Sequence, residues 1–427
     1  MHQDRSPPRP NSARRVLLAS LIGTTIEFFD FYIYATAAVL VFPTLFFPSD
    51  DPGAARLQSL ATFALAFFAR PVGSAVFGHF GDRIGRKATL VAALLTMGLS
   101  TVAIGLLPTH AQIGVWAAVL LALCRFGQGL GLGGEWGGAV LLAVENAPPG
   151  RKAWYGMFPQ LGAPIGFLAS SAVFVLLDAA LSDAQFRAWG WRIPFLASAL
   201  LVAVGLWVRL SLNETPAFRA ALEREERLRL PLAAVLRGQP RDLALGSIAA
   251  TTTFVLFYLM TVFCLSWGTS HLGFTRTGFL VLQMAGVVCF GLAIPISAAI
   301  ADNTGRRAML IAATIGIGAF GLLFPVFFSD GSTTRVLLGL CIGLALMGLT
   351  YGPLGTALAE LFPTAMRYTG SSLAFNFAGI LGASVAPYLA TWLAERHGVG
   401  AVGLYLLTAA AFSLLALLVL RRPVGLD

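Results

Sequence analysis

A chain of 427 residues in which 57% are apolar and only 11% charged, at a mean hydropathy of +0.78, lies far outside the balance of a soluble globular domain. Its formal charge of +9 is dispersed over short segments, with no basic run interleaved with exposed aromatics, and this excludes a nucleic-acid surface. What remains is an integral membrane protein with the lipid bilayer as its surroundings.

In chain order, the first 15 residues are polar and basic. They lead into a run too long and too charged for a cleaved leader, with no A-x-A site behind it, so the first span is expected to stay as an anchor. Runs of about 20 apolar residues, enough to cross a hydrocarbon core of about 30 Å, recur along almost the whole chain. They predict twelve spans, over 16–40, 57–79, 88–107, 113–144, 154–177, 192–212, 242–269, 274–299, 308–328, 335–359, 368–394 and 399–420. The longest internal loop, Asn213 to Arg241 with "LEREERLRLP", divides them into an N-terminal six-helix bundle (1–212), a linker (213–241) and a C-terminal six-helix bundle (242–427).

Cationic loops resist translocation. With a cytoplasmic N-terminus, 21 of the 29 Lys and Arg fall in cytoplasmic segments, six at the outside (Arg56, Arg187, Arg192, Arg276, Arg335, Arg396) and two, Arg70 and Arg125, inside the membrane. Both termini are therefore expected in the cytoplasm. Only Lys87 and Lys152 are lysines, a bias of GC-rich bacterial genomes, and a bacterial inner membrane is expected.

The four cysteines (Cys124, Cys264, Cys289, Cys341) lie within spans and none pairs at a metal-ligand spacing. All five histidines fall at or beyond span ends, and no G-x-x-x-x-G-K-[ST] loop is present. No metal, cofactor or enzymatic activity is expected, and a nucleotide-driven pump is disfavoured.

The halves echo each other. "GHFGDRIGRK" (78–87) follows span two and "AAIADNTGRR" (298–307) follows span eight; "ENAPPGR" (145–151) follows span four and "ELFPTAMR" (360–367) span ten. The first of these resembles the loop signature of the major facilitator superfamily. "ARPVGSAVFGHFGDRIGRK", "RFGQGLGLGGEWGGA" and "WGWRIPFL" resemble its metabolite:proton symporter branch, the group of citrate, α-ketoglutarate, shikimate and proline/betaine porters. The likeness runs from "IEFFDFYIY" (26–34) to the last span. It implies an all-α membrane protein of twelve transmembrane helices in two six-helix bundles, the major facilitator fold. Parallel repeats of this kind suit alternating access, in which two bundles rock about a central site.

Asp82, Arg83, Gly85 and Arg86 in the first half, and Asp302, Gly305 and Arg306 in the second, are expected to form a latch that bonds neighbouring helix ends in one state and releases them in another. Glu145, Arg151, Glu360 and Arg367 extend it into two cytoplasmic charge clusters. Ala298 stands where the first half has Gly78, so an equally close helix approach is not expected there.

Five ionisable residues lie well inside spans, all in the first half: Glu27, Asp30, Arg70, Arg125 and Glu135. Each costs roughly 2.5–3.5 kcal/mol at a helix centre, so such groups turn inward and pair. Glu27, Asp30 and Tyr34 share one face of span one. Glu27 and Arg125 lie about 16 and 18 Å in from opposite ends of their spans, both near mid-membrane. Glu135, about 15 Å from Arg125, is expected to face the latch instead. Three acids against two arginines leave one acid without a fixed cation, and Glu27, Asp30, Arg70 and Glu135 are the expected proton-coupling residues. The seven glycines between Arg125 and Val140 let span four pack closely, so that Arg125 and Gln128 present a fork donor and an amide to the cavity. The resemblance adds that Arg-x-x-Gln-Gly in this helix is associated with proton-coupled transport. Arg125 and Gln128 are expected to bind substrate together with Tyr34, Gln160, Tyr258, Gln283, Tyr351 and Asn376.

The function expected is proton-coupled uptake of a small organic acid, a carboxylate metabolite, by a monomer. A proline/betaine-type osmolyte symporter is the alternative, although the short tail "RRPVGLD" argues against osmosensing. Antiport is a weaker one, since "GAPIG" (162–166) holds only a fragment of an antiporter pattern.

Overall fold

The computed structural model describes residues 13–84, 86–210, 231–363 and 367–420, with side chains for all of these except 13, 78–87 and 231. Twelve helices in it are long and apolar enough to cross a membrane: α1 (Arg14–Leu40), α2 (Pro52–Phe77), α3 (Ala88–Leu106), α4 (Trp116–Glu145), α5 (Lys152–Ala180), α6 (Gly190–Leu210), α7 (Pro240–Ser270), α8 (Arg276–Thr304), α9 (Arg306–Phe328), α10 (Thr333–Glu360), α11 (Arg367–His397) and α12 (Val399–Val419). No strand occurs among the described residues. The predicted spans and the helices agree in number and order. Only the end of the predicted linker is described, and there Pro231–Gly238 is a short helix leading into α7.

The helices gather six and six. In the first group α1 packs on α5, α2 on α4 and α3 on α6; in the second α8 packs on α10, α9 on α12 and α7 on α11 and α12. The groups meet chiefly where α5 lies against α8 and α10, and where α2 lies against α11. Outward-facing Leu106, Leu176, Leu200 and Trp207 are each more than 60% exposed, which suits a lipid solvent and would be ruinous in water.

Small residues set the closest approaches. A Cβ on Gly129 would lie 2.3 Å from the Ala66 carbonyl oxygen, and one on Gly133 would lie 2.0 Å from that of Arg70, so α4 rests backbone to backbone on α2. The glycine run also breaks α4 at Gly134 and Glu135, between a helix ending at Gly133 and another starting at Trp136. Further π-helical turns interrupt α7 at Leu259–Phe263 and α11 at Ile380–Ser384. Each frees backbone carbonyls that lipid cannot satisfy. In α7 the carbonyls of Met260 and Thr261 are taken up by Gln283 of α8, whose Nε2 donates to them at 2.8 and 2.7 Å.

The molecule thus has two faces, one at the ends of α6 and the start of α7, where the linker departs, and one opposite. They are called the linker face and the far face below.

Candidate functional site

Between the two bundles lies a small cavity. Its walls come from α1, α2, α4, α5, α7, α10 and α11, and most are aromatic, including Tyr32, Trp136, Phe257, Tyr258 and Tyr351. Two charged residues enter it, Glu27 of α1 and Arg70 of α2, which are only 2% and 4% exposed. Glu27 Oε2, Arg70 Nε and Arg70 Nη2 have no hydrogen-bond partner, and no ion pair joins the two side chains. The Arg70 guanidinium rests instead on the rings of Phe67 and Phe31, 4.6 and 4.7 Å from their centroids.

Arg125 is placed differently from the expectation. It is fully buried and lies outside the cavity wall. Its Nη1 donates to Gln128 Oε1 at 3.0 Å and its Nε to the Phe63 carbonyl at 3.4 Å, while the rings of Tyr34, Phe31 and Phe63 cover it at 4.0, 4.3 and 4.8 Å. Gln128 is spent on this arrangement as well, donating to Thr101 Oγ1 at 2.8 Å, and the Tyr34 hydroxyl donates to Thr62. The packing of aromatic rings around the guanidinium, which sequence spacing does not reveal, turns this trio away from the cavity.

Of the other residues expected at the substrate, Tyr258, Tyr351 and Asn376 do line the cavity. Gln283 is held by the broken backbone of α7, outside the wall. Gln160 bridges the bundles, accepting from Trp136 Nε1 and donating to the Tyr351 carbonyl, each at 3.0 Å. Tyr32, Trp136, Phe257 and Phe375 were not anticipated, although the density of aromatics in "IEFFDFYIY" was a signal for the first.

The charge count also changes. Arg209, near the end of α6, is only 9% exposed and forms an ion pair with Glu135, which therefore faces α6 rather than the latch. Arg209 Nη1 also donates to the Leu90 carbonyl at 2.6 Å. Among the described residues of the N-terminal bundle, the buried set is then three acids (Glu27, Asp30, Glu135) and three arginines (Arg70, Arg125, Arg209), with no surplus acid. Asp30 is fully buried and accepts a hydrogen bond from Ser198 of α6 at 2.5 Å, with Thr101 beside it. It reaches no cation among the described residues.

The linker face is closed around the second-half motif. The Asp302 carboxylate accepts from the backbone N–H groups of Ala153 and Trp154, both at 2.9 Å, and so caps the first turn of α5 across the bundle interface. Arg306 lies 3.4 Å from Asp302 and 3.7 Å from Glu360, and Lys152 lies 3.8 Å from Glu360. The Tyr368 hydroxyl donates to the Gly134 carbonyl at 2.8 Å, and Trp136 stacks on Phe375 with centroids 3.6 Å apart. Gly305 turns the chain at φ 92°, and Arg367 Nε donates to the Phe362 carbonyl. Of the first-half cluster, Glu145 and Arg151 are exposed and make no ion pair with another described residue. Gly85 and the side chains of Asp82, Arg83 and Arg86 lie outside the described residues.

The far face is closed too, by groups that the sequence did not single out. Arg276 of α8 lies 2.5 Å from Asp178 and 2.7 Å from Asp183, Thr277 donates to Asp178, and Arg56 lies 3.9 Å from Glu395 of α11. "WGWRIPFL" has a structural role here: Trp191 is fully buried among Phe42, Phe46 and Phe195, and Arg192 donates to the carbonyls of Gly105 and Leu107 at the end of α3.

A cavity bridged at both faces between two six-helix bundles is the geometry of a carrier, and the comparisons agree. Residues 20–387 match the family described as the Major Facilitator Superfamily. The chain belongs to that superfamily. Membership makes it a transporter and not an enzyme. The superfamily fold is also that of the xylose transporter XylE from E. coli in a partially occluded inward-open conformation, with a TM-score of 0.74 at 15% identity over 97% of this chain and 99% of that one. This transporter is 56% identical to the inner membrane metabolite transport protein YhjE of Escherichia coli over 96% of its own length and 94% of that relative's. It is 35% identical to the shikimate transporter of Escherichia coli, again over 96% and 94% of the two chains. It is also 31% identical to the proline/betaine transporter of Salmonella typhimurium, over 90% of this chain and 78% of the relative.

Proposed function

We propose that this protein is a metabolite transporter of a bacterial inner membrane that takes up a small organic acid together with protons, with its linker face toward the cytoplasm. The observation that carries the reading is the Glu27–Arg70 couple in the cavity, an acid and a cation that share one buried space without an ion pair between them. A proton that neutralises Glu27 leaves Arg70 as uncompensated positive charge, and a carboxylate anion restores the balance. Proton and anion then favour each other's binding, which is the thermodynamic meaning of symport. The inner membrane location and the metabolite class are supported by the names of the relatives at 56% and 35% identity.

A proline/betaine-type substrate is the second reading, favoured by the 31% identical relative and by aromatic walls suited to a cationic group. Purified protein in proteoliposomes decides between them. With an inward proton gradient, labelled shikimate, α-ketoglutarate, citrate or betaine is offered and accumulation followed. Accumulation of an organic acid that collapses with the gradient is expected. Uptake of betaine alone, or uptake indifferent to the proton gradient, overturns the proposal.

A further inference from the structure

We infer that Arg70, and not Arg125, receives the carboxylate of the substrate, and that the substrate is an anion with a single carboxylate. The inference rests on the symport reading above and narrows it to one receptor and one substrate charge.

The two arginines share Phe31, whose ring lies under both guanidinium groups, but their free edges differ. Arg125 spends its Nη1 and Nε on Gln128 and Phe63, three rings pack on it, and only its Nη2 is unpaired, on a residue that does not line the cavity. Arg70 rests its flat face on Phe31 and Phe67 and leaves Nε and Nη2 unpaired at the cavity wall. Those two nitrogens form one edge of the guanidinium fork, the edge that binds both oxygens of a carboxylate side by side. A buried donor pair that finds no protein partner is costly unless something else fills it. Glu27 is the protein's own competitor for the same edge, since its carboxylate lines the same cavity with Oε2 unpaired. Protonation removes that competition.

Substrate charge follows from the wall. Arg70 is the single cation among the residues lining the cavity, and the other polar groups there are neutral hydroxyls and amides such as Thr253, Tyr258, Tyr351 and Asn376. A second carboxylate would enter a largely aromatic space with no positive partner, at a high desolvation cost. One carboxylate on Arg70, with hydroxyl groups or a ring against the tyrosines, matches the chemistry of this wall.

The test is binding to purified full-length protein, by calorimetry, of shikimate (one carboxylate), α-ketoglutarate (two), citrate (three) and betaine (a zwitterion). Shikimate is expected to bind, with uptake of about one proton per molecule read from the dependence of the heat on buffer ionisation. The polycarboxylates are expected not to bind. Arg70→Gln should weaken shikimate binding at least tenfold, and Glu27→Gln should bind it with no proton uptake. Thermal melting of each variant reports folding, and the proton count of the unmodified protein stands whether or not a variant folds. Wild-type affinity in folded Arg70→Gln, shikimate binding without proton uptake, tighter binding of a polycarboxylate, or binding of no single-carboxylate anion would each overturn the inference. Proton-driven accumulation of an acid by a protein that fails these tests would leave the symport reading standing and remove only Arg70 or the single-carboxylate rule.

Discussion

At the scale of the residue, pairing decides what each buried charge can do. Arg209 and Glu135 satisfy each other within a few ångströms of the Gly23 backbone, so they act as structure. Removing one partner strands the other in a low-dielectric interior, a loss of about 3–5 kcal/mol for a buried pair. Arg209→Ala is therefore expected to lower the melting temperature of the purified protein by several degrees, while Arg209→Met combined with Glu135→Leu recovers most of it. A single variant that melts with the wild type would show that the pair carries no stability. Asp30 is the opposite case, held by Ser198 and Thr101 with no cation nearby. Asp30→Asn keeps the shape and one acceptor, so the protein should remain folded. Proton-driven accumulation is expected to fall while downhill exchange continues; full accumulation in the variant would remove Asp30 from the coupling path and leave Glu27 alone.

At the scale of the element, α4 shows how a glycine run converts sequence into proximity. A side chain at Gly133 would strike the carbonyl of Arg70, which is backbone and cannot step aside, whereas one at Gly137 would strike the Ser372 side chain across the bundle interface, chiefly its hydroxyl. Gly133→Ala should separate α4 from α2, cost at least the ~1–3 kcal/mol typical of overpacking, and displace the Arg70 edge from the cavity. Gly137→Ala should be tolerated in stability and felt mainly as weaker contact between bundles. Equal melting losses in the two would contradict the backbone-contact argument. The π turn of α7 makes a similar point. Gln283 has no place at the cavity, yet Gln283→Leu should destabilise α7 by leaving the Met260 and Thr261 carbonyls without a donor in a membrane interior.

At the scale of the molecule, the bundles are bridged at both faces. Alternating access requires that each bridge be released in turn, and weakening one shifts the population toward opening on that side. Asp302→Asn removes charge from the cap on α5 and should open the linker face; Arg276→Ala removes the Asp178 and Asp183 contacts and should open the far face. The check is the rate at which a hydrophilic maleimide labels Asn376→Cys, measured from each side of sealed vesicles above the native background. Opposite shifts in the two variants are expected. Unchanged labelling in both would return these residues to the role of topology charges.

The sequence by itself determined the number of helices, their order, the membrane as solvent and the residues that repeat between halves, because apolar length, glycine spacing and charge periodicity are local properties of the chain. It also marked Glu27, Arg70, Tyr258, Tyr351 and Asn376, which all reach the cavity. It could not say which arginine faces that cavity. Arg70 and Arg125 look alike in sequence, each an isolated cation in an apolar span, and the difference is that Arg125 is held by Gln128, the Phe63 carbonyl and three rings outside the cavity while Arg70 lines it with two donors unpaired. Nor could it find Arg209, which sits where a span meets its loop and becomes a membrane charge only because α6 carries it against Glu135. The far-face bridge was hidden for the same reason, since Asp178 and Arg276 are 98 residues apart in the chain and meet only when α5 and α8 pack. Contacts of that kind belong to the tertiary structure, because they depend on where two helices end in space and not on anything either helix contains.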